Sequence, residues 1–361
     1  MTQLRTVQVL GGGGAGSSAH VRSLASGLVA RGVRVTVCAP PELDHSYDFV
    51  GAGAHFVPTP RHGGPTTVAA LRNLSIGADV VHAHGLDASV RAALALSGGG
   101  GTRAPLVTTW HTRGRAAGAR AGLVRLLERR TVRAAAVVLG TSSELVDRAR
   151  RSGARDARLA PVTVPASRAP VCLHDGKARA ELGAVDRPLL MAVGALRPGR
   201  GYGMLLDAAR AWRDLDPQPL LVIAGEGPER PALQRRIESE RLGVRLIGRR
   251  EDVAELLAAA DVAVLPSRWE ARSLLAQEAL RLGVPLVATA VGGVPELVGN
   301  AAELVPYGDA EGMAAVVREL LDDADRRLDL AAAGRVQART WPTEDETVAH
   351  VLSVYDELTG R

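Results

Sequence analysis

Apolar residues fall in short unbroken blocks along this chain, and between the blocks they recur at every third or fourth position. Blocks at residues 7–10, 33–38, 80–82, 106–109 and 137–140 predict one series of strands. A second series is predicted at 189–193, 220–224, 244–247, 262–265, 286–288 and 303–305. The stretches between them, such as 20–31, 253–260 and 313–322, have the spacing of helices packed on one face. Unbroken apolar strands alternating with helices make βαβ units, whose strands are parallel and buried on both sides. A less periodic, proline-bearing stretch at 161–188 parts the two series. The pattern predicts an α/β chain of two doubly wound parallel-sheet domains, 1–168 and 188–342, joined by a linker at 169–187. Beyond Trp341-Pro342, residues 343–358 read as one more amphipathic helix, with Val348, Val351, Leu352 and Tyr355 on a stripe. The segment 343–361 is expected to return to the first domain.

Composition narrows the classes. The 361 residues are 46% hydrophobic but only 3% aromatic, so small aliphatic side chains must fill the cores. The formal net charge is +5, and Lys177 is the lone lysine among the basic residues. Such replacement of lysine by arginine weakens the case for nucleic acid, and neither interleaved aromatics nor a helix-turn-helix signature supports that partner. Cys38 and Cys172 cannot make a disulfide framework, and Cys38, inside a strand block, is expected to be a buried reduced thiol. No Cys/His cluster has zinc spacing, so no metal is expected. With no signal pattern and no block long enough to span a membrane, a cytoplasmic location is expected.

The candidate chemistry lies at strand ends. Gly11-Gly-Gly-Gly-Ala-Gly16 follows a strand and precedes a helix, and it satisfies G-x-G-x-x-G. A dinucleotide site would also place an acid at the end of the second strand, where Ala39-Pro40-Pro41 stands instead, so a loop whose amides approach a phosphate or sugar is the better reading. His111 follows the block 106–109, at the end of a strand where ligands bind in open α/β sheets. His82 and His84 end another block; structural or acceptor-lining roles suit them better than a metal. In the second domain Arg200, flanked by glycines after block 189–193, offers a fixed cation for a diphosphate, with Arg197 as a second candidate.

The most specific signal is Glu270 and Glu278 around a helix start. Ser273 is the expected N-cap, and Leu274, Leu275 and Ala276 then expose first-turn N–H groups with no acid nearby to repel an anion. Glu278, a turn later, can reach ribose hydroxyls, while Glu270 stays in the loop. Gly283-Val-Pro285 and Gly292-Gly-Val-Pro-Glu296 follow.

On these residues, with His20-Val21, residues 79–82, 108–111, 193–202 and 224–228, and the Trp341 tail, the chain resembles the family 4 glycosyltransferases of the GT-B fold. These are the retaining group with an E-x7-E motif. The resemblance implies two Rossmann-like domains facing a cleft. It implies a nucleoside diphosphate sugar as donor, UDP- or GDP-linked, with no metal and no other cofactor. The acceptor would be a small molecule, a glycan or a lipid-linked molecule. It further implies that Glu278 holds the donor ribose, that Glu270 and His111 face the transferred sugar, and that Arg200 binds the diphosphate. Ser273 and Leu274 would meet the diphosphate at the helix start, and Gly14 and Gly16 would approach it from the first domain. Three departures stand out: Ala195 where the family has arginine, Ala271-Arg272-Ser273 in place of Gly-Phe-Gly, and Pro161-Val-Thr-Val-Pro165 in place of the interdomain motif. Two alternatives keep the fold: a sugar-nucleotide 2-epimerase, or a degenerate donor-binding protein without turnover. Arg113, Arg115, Arg120, Arg125, Arg129, Arg130 and Arg133 form a basic run that could make weak peripheral contact with anionic lipid.

Overall fold

A computed structural model of the chain describes residues 3–12, 14–61, 63–97, 104–114, 119–162 and 176–361. Gly13, Arg115, Cys172 and residues 169–175 of the expected linker lie outside them, while the rest of the linker carries the short helix Lys177–Leu182. The chain divides into two compact units, Met1–Pro165 with Pro342–Arg361, and Ala166–Trp341.

The first unit is built on seven strands, β1 (Arg5–Leu10), β2 (Arg34–Ala39), β3 (His55–Pro58), β4 (Val80–His84), β5 (Leu106–Trp110), β6 (Val137–Gly140) and β7 (Ala157–Leu159). They form one sheet in the order β3-β2-β1-β4-β5-β6-β7, and every neighbouring pair is parallel. The order reverses between β1 and β4, the place where an open α/β sheet leaves a crevice at its strand ends. Register sets Gln8 beside His82 and Leu10 beside His84, with Thr109 of β5 beside His84 on the other flank.

The first helix runs over Ala15–Ala30 and not from His20, as the apolar spacing predicts. Gly14 is its N-cap, so Gly16 lies in the first turn rather than in the loop. The C-terminal helix Glu344–Thr359 belongs to this unit and packs on Ala15–Ala30. A Cβ on Gly27 would stand 2.5 Å from Val348 Cγ2, so the two helices meet where one side chain is absent. The buried stripe is Val348, Val351, Val354 and Tyr355, with Leu352 at its half-buried margin. Thr343 starts the helix with a capping box to Glu346. Cys38 is buried in β2, and burial pushes its thiol up to about 12, as expected of an inert core cysteine.

The second unit has β8 (Leu189–Val193), β9 (Leu220–Ala224), β10 (Val244–Gly248), β11 (Val262–Leu265), β12 (Leu286–Thr289) and β13 (Glu303–Val305). The order is β10-β9-β8-β11-β12-β13, again wholly parallel, with its reversal between β8 and β11. Its inner strands β8, β9, β11 and β12 are buried on both faces, and two apolar clusters fill the layers of helices on either side. Among the described residues no helix is long and apolar enough to cross a membrane.

Candidate functional site

The second unit concentrates charge at its reversal point. The segment after β11 carries Glu270, whose carboxylate accepts from Ser267 Oγ at 3.0 Å and pairs with Arg200 Nη1 from the segment after β8. Glu270 is 14% exposed and Arg200 37%, so the pair lies at a surface and not in the core. The segment is fastened on three sides. Arg268 N–H donates to Gly199 O at 3.0 Å, Thr289 Oγ1 donates to Ser267 O at 2.6 Å, and Gly293 N–H donates to Glu270 O at 2.9 Å. The last contact requires glycine next door: Gly292 has φ +57°, and a Cβ there would sit 2.0 Å from Glu270 O.

Ser273 caps the helix Leu274–Leu282 and accepts from Ala276 N–H at 3.3 Å. The expectation of three free amides is corrected by that bond, since Ala276 N–H serves the cap. Leu274 and Leu275 N–H remain as first-turn donors, with no acid in the turn. Glu278 follows a turn later, 20% exposed, with Arg281 Nη1 at 3.9 Å from Oε2. The sheet therefore brings Arg200, Glu270 and the Ser273 cap to one rim, and the helix carries Glu278 on from that cap. Arg197 is exposed on the same loop as Arg200.

In the first unit Gly11, Gly12 and Gly14 follow β1 at the other reversal point. A Cβ on Gly14 would meet nothing within 4 Å, so the space over the N-terminus of the helix Ala15–Ala30 is open, and its first turn carries no acid. His111 lies just past β5, with its Nε2 3.3 Å from His84 Nδ1. His20, on the helix Ala15–Ala30, completes a group with them in which the nearest ligand-type atoms lie within 4.8 Å of one another. His84 links the group to β1: its Nε2 meets Gln8 Oε1 at 3.0 Å while its Nδ1 faces His111.

His82 is structural. Its ring bridges Tyr355 OH at 2.6 Å and Thr109 Oγ1 at 2.7 Å and is fully buried. Burial lowers all four imidazoles, His20 to about 4 and His82 to about 3, with the His20 imidazole reinforcing the effect at His82. His84 and His111 are held well below the ordinary histidine value by the same burial and then by their histidine neighbours. All four are neutral at physiological pH. Sequence reasoning did not assign Gln8 or Tyr355 to this cluster, nor give His20 a place in the chemistry. The signal available was Gln8 itself, an amide inside an apolar strand block, which must find partners when buried.

Comparison with known proteins fits this geometry. Residues 15–165 match the family described as "Glycosyl transferase 4-like domain" and residues 175–337 match "Glycosyl transferases group 1". A D-inositol 3-phosphate glycosyltransferase of Thermomonospora curvata is 37% identical over 198 residues, 50% of this chain and 45% of that protein. An alpha-D-kanosaminyltransferase of Streptomyces kanamyceticus is 33% identical over 229 residues, 57% of this chain and 56% of that protein. The chain thus spans about half the length of these curated relatives. Among solved structures, Anabaena HepE in complex with UDP-glucose superposes with a TM-score of 0.83 at 19% identity, covering 98% of this chain and 100% of that one. That likeness shows the fold. With one family match on each unit, two parallel Rossmann-like sheets and a GT-B neighbour along nearly its whole length, the chain belongs to the group 1, family 4-type glycosyltransferases of the GT-B fold.

Proposed function

We propose that the chain is a retaining, metal-independent glycosyltransferase that moves a sugar from a UDP- or GDP-linked donor to the hydroxyl of a small-molecule, glycan or lipid-linked acceptor. The observation that carries this reading is the rim of the second unit. Arg200, Glu270 and a serine-capped helix start are gathered at the sheet's reversal point, and Glu278 follows one turn on. Support also comes from the relatives, which are named as glycosyltransferases, and from the UDP-glucose held by the Anabaena protein.

The chemistry follows from charge. The bond between the anomeric carbon and the diphosphate oxygen breaks, and negative charge grows on the departing diphosphate. Arg200 and the Leu274 and Leu275 amides would stabilise that charge, as preorganised donors do best away from bulk water. A diphosphate competes with Glu270 for the Arg200 guanidinium, which would release the Glu270 carboxylate toward the positive sugar carbon. The acceptor oxygen forms the new bond on the same face, and its proton passes to the leaving phosphate oxygen, so no protein base is required. Gly14 and Gly16 would meet the diphosphate from the first unit, and His111 the sugar. Glu278 would bind the ribose hydroxyls. Titration calorimetry with UDP- and GDP-sugars tests this: Glu278→Ala should weaken donor binding at least about tenfold, the value of a charged hydrogen bond. Equal affinities in the two proteins would refute the assignment.

The basic run is proposed as a weak site for anionic lipid. Arg120, Arg125, Arg129, Arg130 and Arg133 are exposed on the helix Ala119–Ala134, beside Leu123 and Leu126, which are 57% and 49% exposed.

A further inference from the structure

With the Gln8 amide placed as it is in the structure, the hydrogen bonds around it run in one direction. Gln8 Nε2 donates to Tyr355 OH at 3.0 Å and to Thr6 Oγ1 at 3.3 Å. Gln8 Oε1 is left to accept from His84 Nε2 at 3.0 Å, so the His84 proton sits on Nε2 and its Nδ1 is a bare lone pair. His111 Nε2, 3.3 Å from that lone pair, must therefore carry its own proton. The opposite tautomer would set two lone pairs against each other. The same orientation sets the second branch: Tyr355 then accepts from Gln8 and donates to His82 Nδ1, and His82 Nε2–H donates to Thr109 Oγ1 at 2.7 Å.

We propose that Gln8 and His84 are positioning residues that lock His111 in the Nε2–H tautomer, so that His111 meets the transferred sugar through Nδ1, strictly as a hydrogen-bond acceptor. The C-terminal helix Glu344–Thr359 anchors the lock through Tyr355. The role at the sugar rests on the glycosyltransferase reading; the tautomer does not. The consequence is chemical selectivity. His111 then recognises a sugar hydroxyl as donor, and it gives up no proton during the reaction. A deoxy or O-methyl sugar at that position loses the contact.

The groups facing the lock are His20 from the helix Ala15–Ala30, His82 on β4 and Tyr355. All are neutral in the folded chain at pH 6–8, because burial holds the imidazoles low and the Tyr355 phenol high. Nothing in the set titrates between pH 6 and 8, so the lock should be pH-independent there.

Gln8→Glu should invert it. A carboxylate at Gln8 stabilises a doubly protonated His84, which then donates Nδ1–H to His111 Nε2 and drives the His111 proton to Nδ1. Long-range proton–nitrogen NMR correlations of 15N-histidine-labelled protein, assigned with His111→Asn, read the tautomer directly. The expected result is a protonated Nε2 on His111 in the wild type from pH 6 to 8 and a protonated Nδ1 in Gln8→Glu. In transfer assays kcat should fall about tenfold in Gln8→Glu, the value of one hydrogen bond made to the sugar as it reacts, with KM little changed, and recover as pH rises through the new His84 titration. A merely structural role would lower activity without that recovery. A wild-type His111 protonated on Nδ1 overturns the lock and needs no variant to show it. An inverted tautomer with unchanged kcat overturns its role at the sugar. A wild type that binds no nucleotide sugar fails the functional reading instead, while the NMR result still decides the tautomer.

Discussion

Acidification should unfold the first unit before the second, and the buried histidines set the size of the effect. An imidazole that is neutral in the fold and free to protonate in the unfolded chain makes the unfolded chain bind more protons below pH 6.5. Its contribution is whole above the unfolded value and is lost progressively as pH falls toward the depressed folded value. For His20 the window runs from 6.5 to about 4, and for His82 from 6.5 to about 3. Between pH 7.5 and 5 each such histidine costs about 2 kcal/mol, so these two account for about 4 kcal/mol. His84 and His111, also held far down, add to the loss in the same direction. Domains are usually stable by only about 5–15 kcal/mol, so the first unit should lose a large share of its stability by pH 5. The second unit is the internal control, since no histidine occurs between residues 176 and 341. Hydrogen exchange read peptide by peptide at pH 7.5, 6.5, 5.5 and 5, corrected for intrinsic rates, separates the two. First-unit peptides should lose protection by the stated amounts while second-unit peptides keep theirs. His82→Gln should flatten the first unit's pH slope by one histidine's share. Equal behaviour of both units down to pH 5 would show that the imidazoles are solvated or charged at neutral pH, and the buried-network account would be wrong.

Other substitutions probe the rim and the termini. Gly292→Ala places a Cβ 2.0 Å from Glu270 O at φ +57°, so the second unit should lose roughly 2–4 kcal/mol by urea denaturation and donor binding should weaken. Removal of the capping hydroxyl in Thr343→Ala, which accepts from Glu346 N–H at 3.1 Å, should cost the first unit about 1 kcal/mol and leave the second unit's melting unchanged. Replacing Arg125, Arg129 and Arg130 with glutamate should abolish sedimentation with anionic vesicles while donor affinity is kept; wild-type protein that pellets equally with neutral vesicles would dismiss the lipid proposal.

Strands buried on both faces were legible because burial itself writes the apolar block. All eleven blocks noted in the sequence contain strands, whereas β3 and β7 have no such block. Both are sheet edges: His55-Phe56-Val57-Pro58 has no fully buried residue, and β7 has only Ala157. The helix before His20 was missed because Gly16, Ser17 and Ser18 have low helix propensity, which the Gly14 cap and tertiary packing override. At the rim, Ser273 was readable as a cap because capping is local chemistry. The Arg200–Glu270 pair was not, since it joins loops 70 residues apart. The histidine network is further from reach: Gln8 and Tyr355 are 347 residues apart, and the apolar stripe predicts that Tyr355 is buried without saying what its hydroxyl meets.

The departure at Ala271-Arg272-Ser273 has a physical resolution in the second unit. Ser273 brings a side-chain cap that a glycine lacks, and Ala271 is 2% exposed. Arg272 is the unexpected member. Its guanidinium lies 5.8 Å from the centre of the Trp341 ring, and burial lowers it to about 10, which still leaves it charged at neutral pH. A buried cation needs compensation, and two sources are present: the ring face, where a desolvated cation–π contact contributes about 2 kcal/mol, and the carboxylate of Glu296. Trp341 is itself fixed, with Nε1 donating to Leu297 O at 3.0 Å. Arg281 lies at the same 5.8 Å from that ring and opposes Arg272 by like charge, while its own carboxylate neighbour is Glu278. An arginine at this position thus uses the ring of Trp341 where a phenylalanine would bring its own. Its charge is answered on the inner side of the segment by Trp341 and Glu296, so the Ser273 cap and the helix start beyond it are kept despite the altered motif.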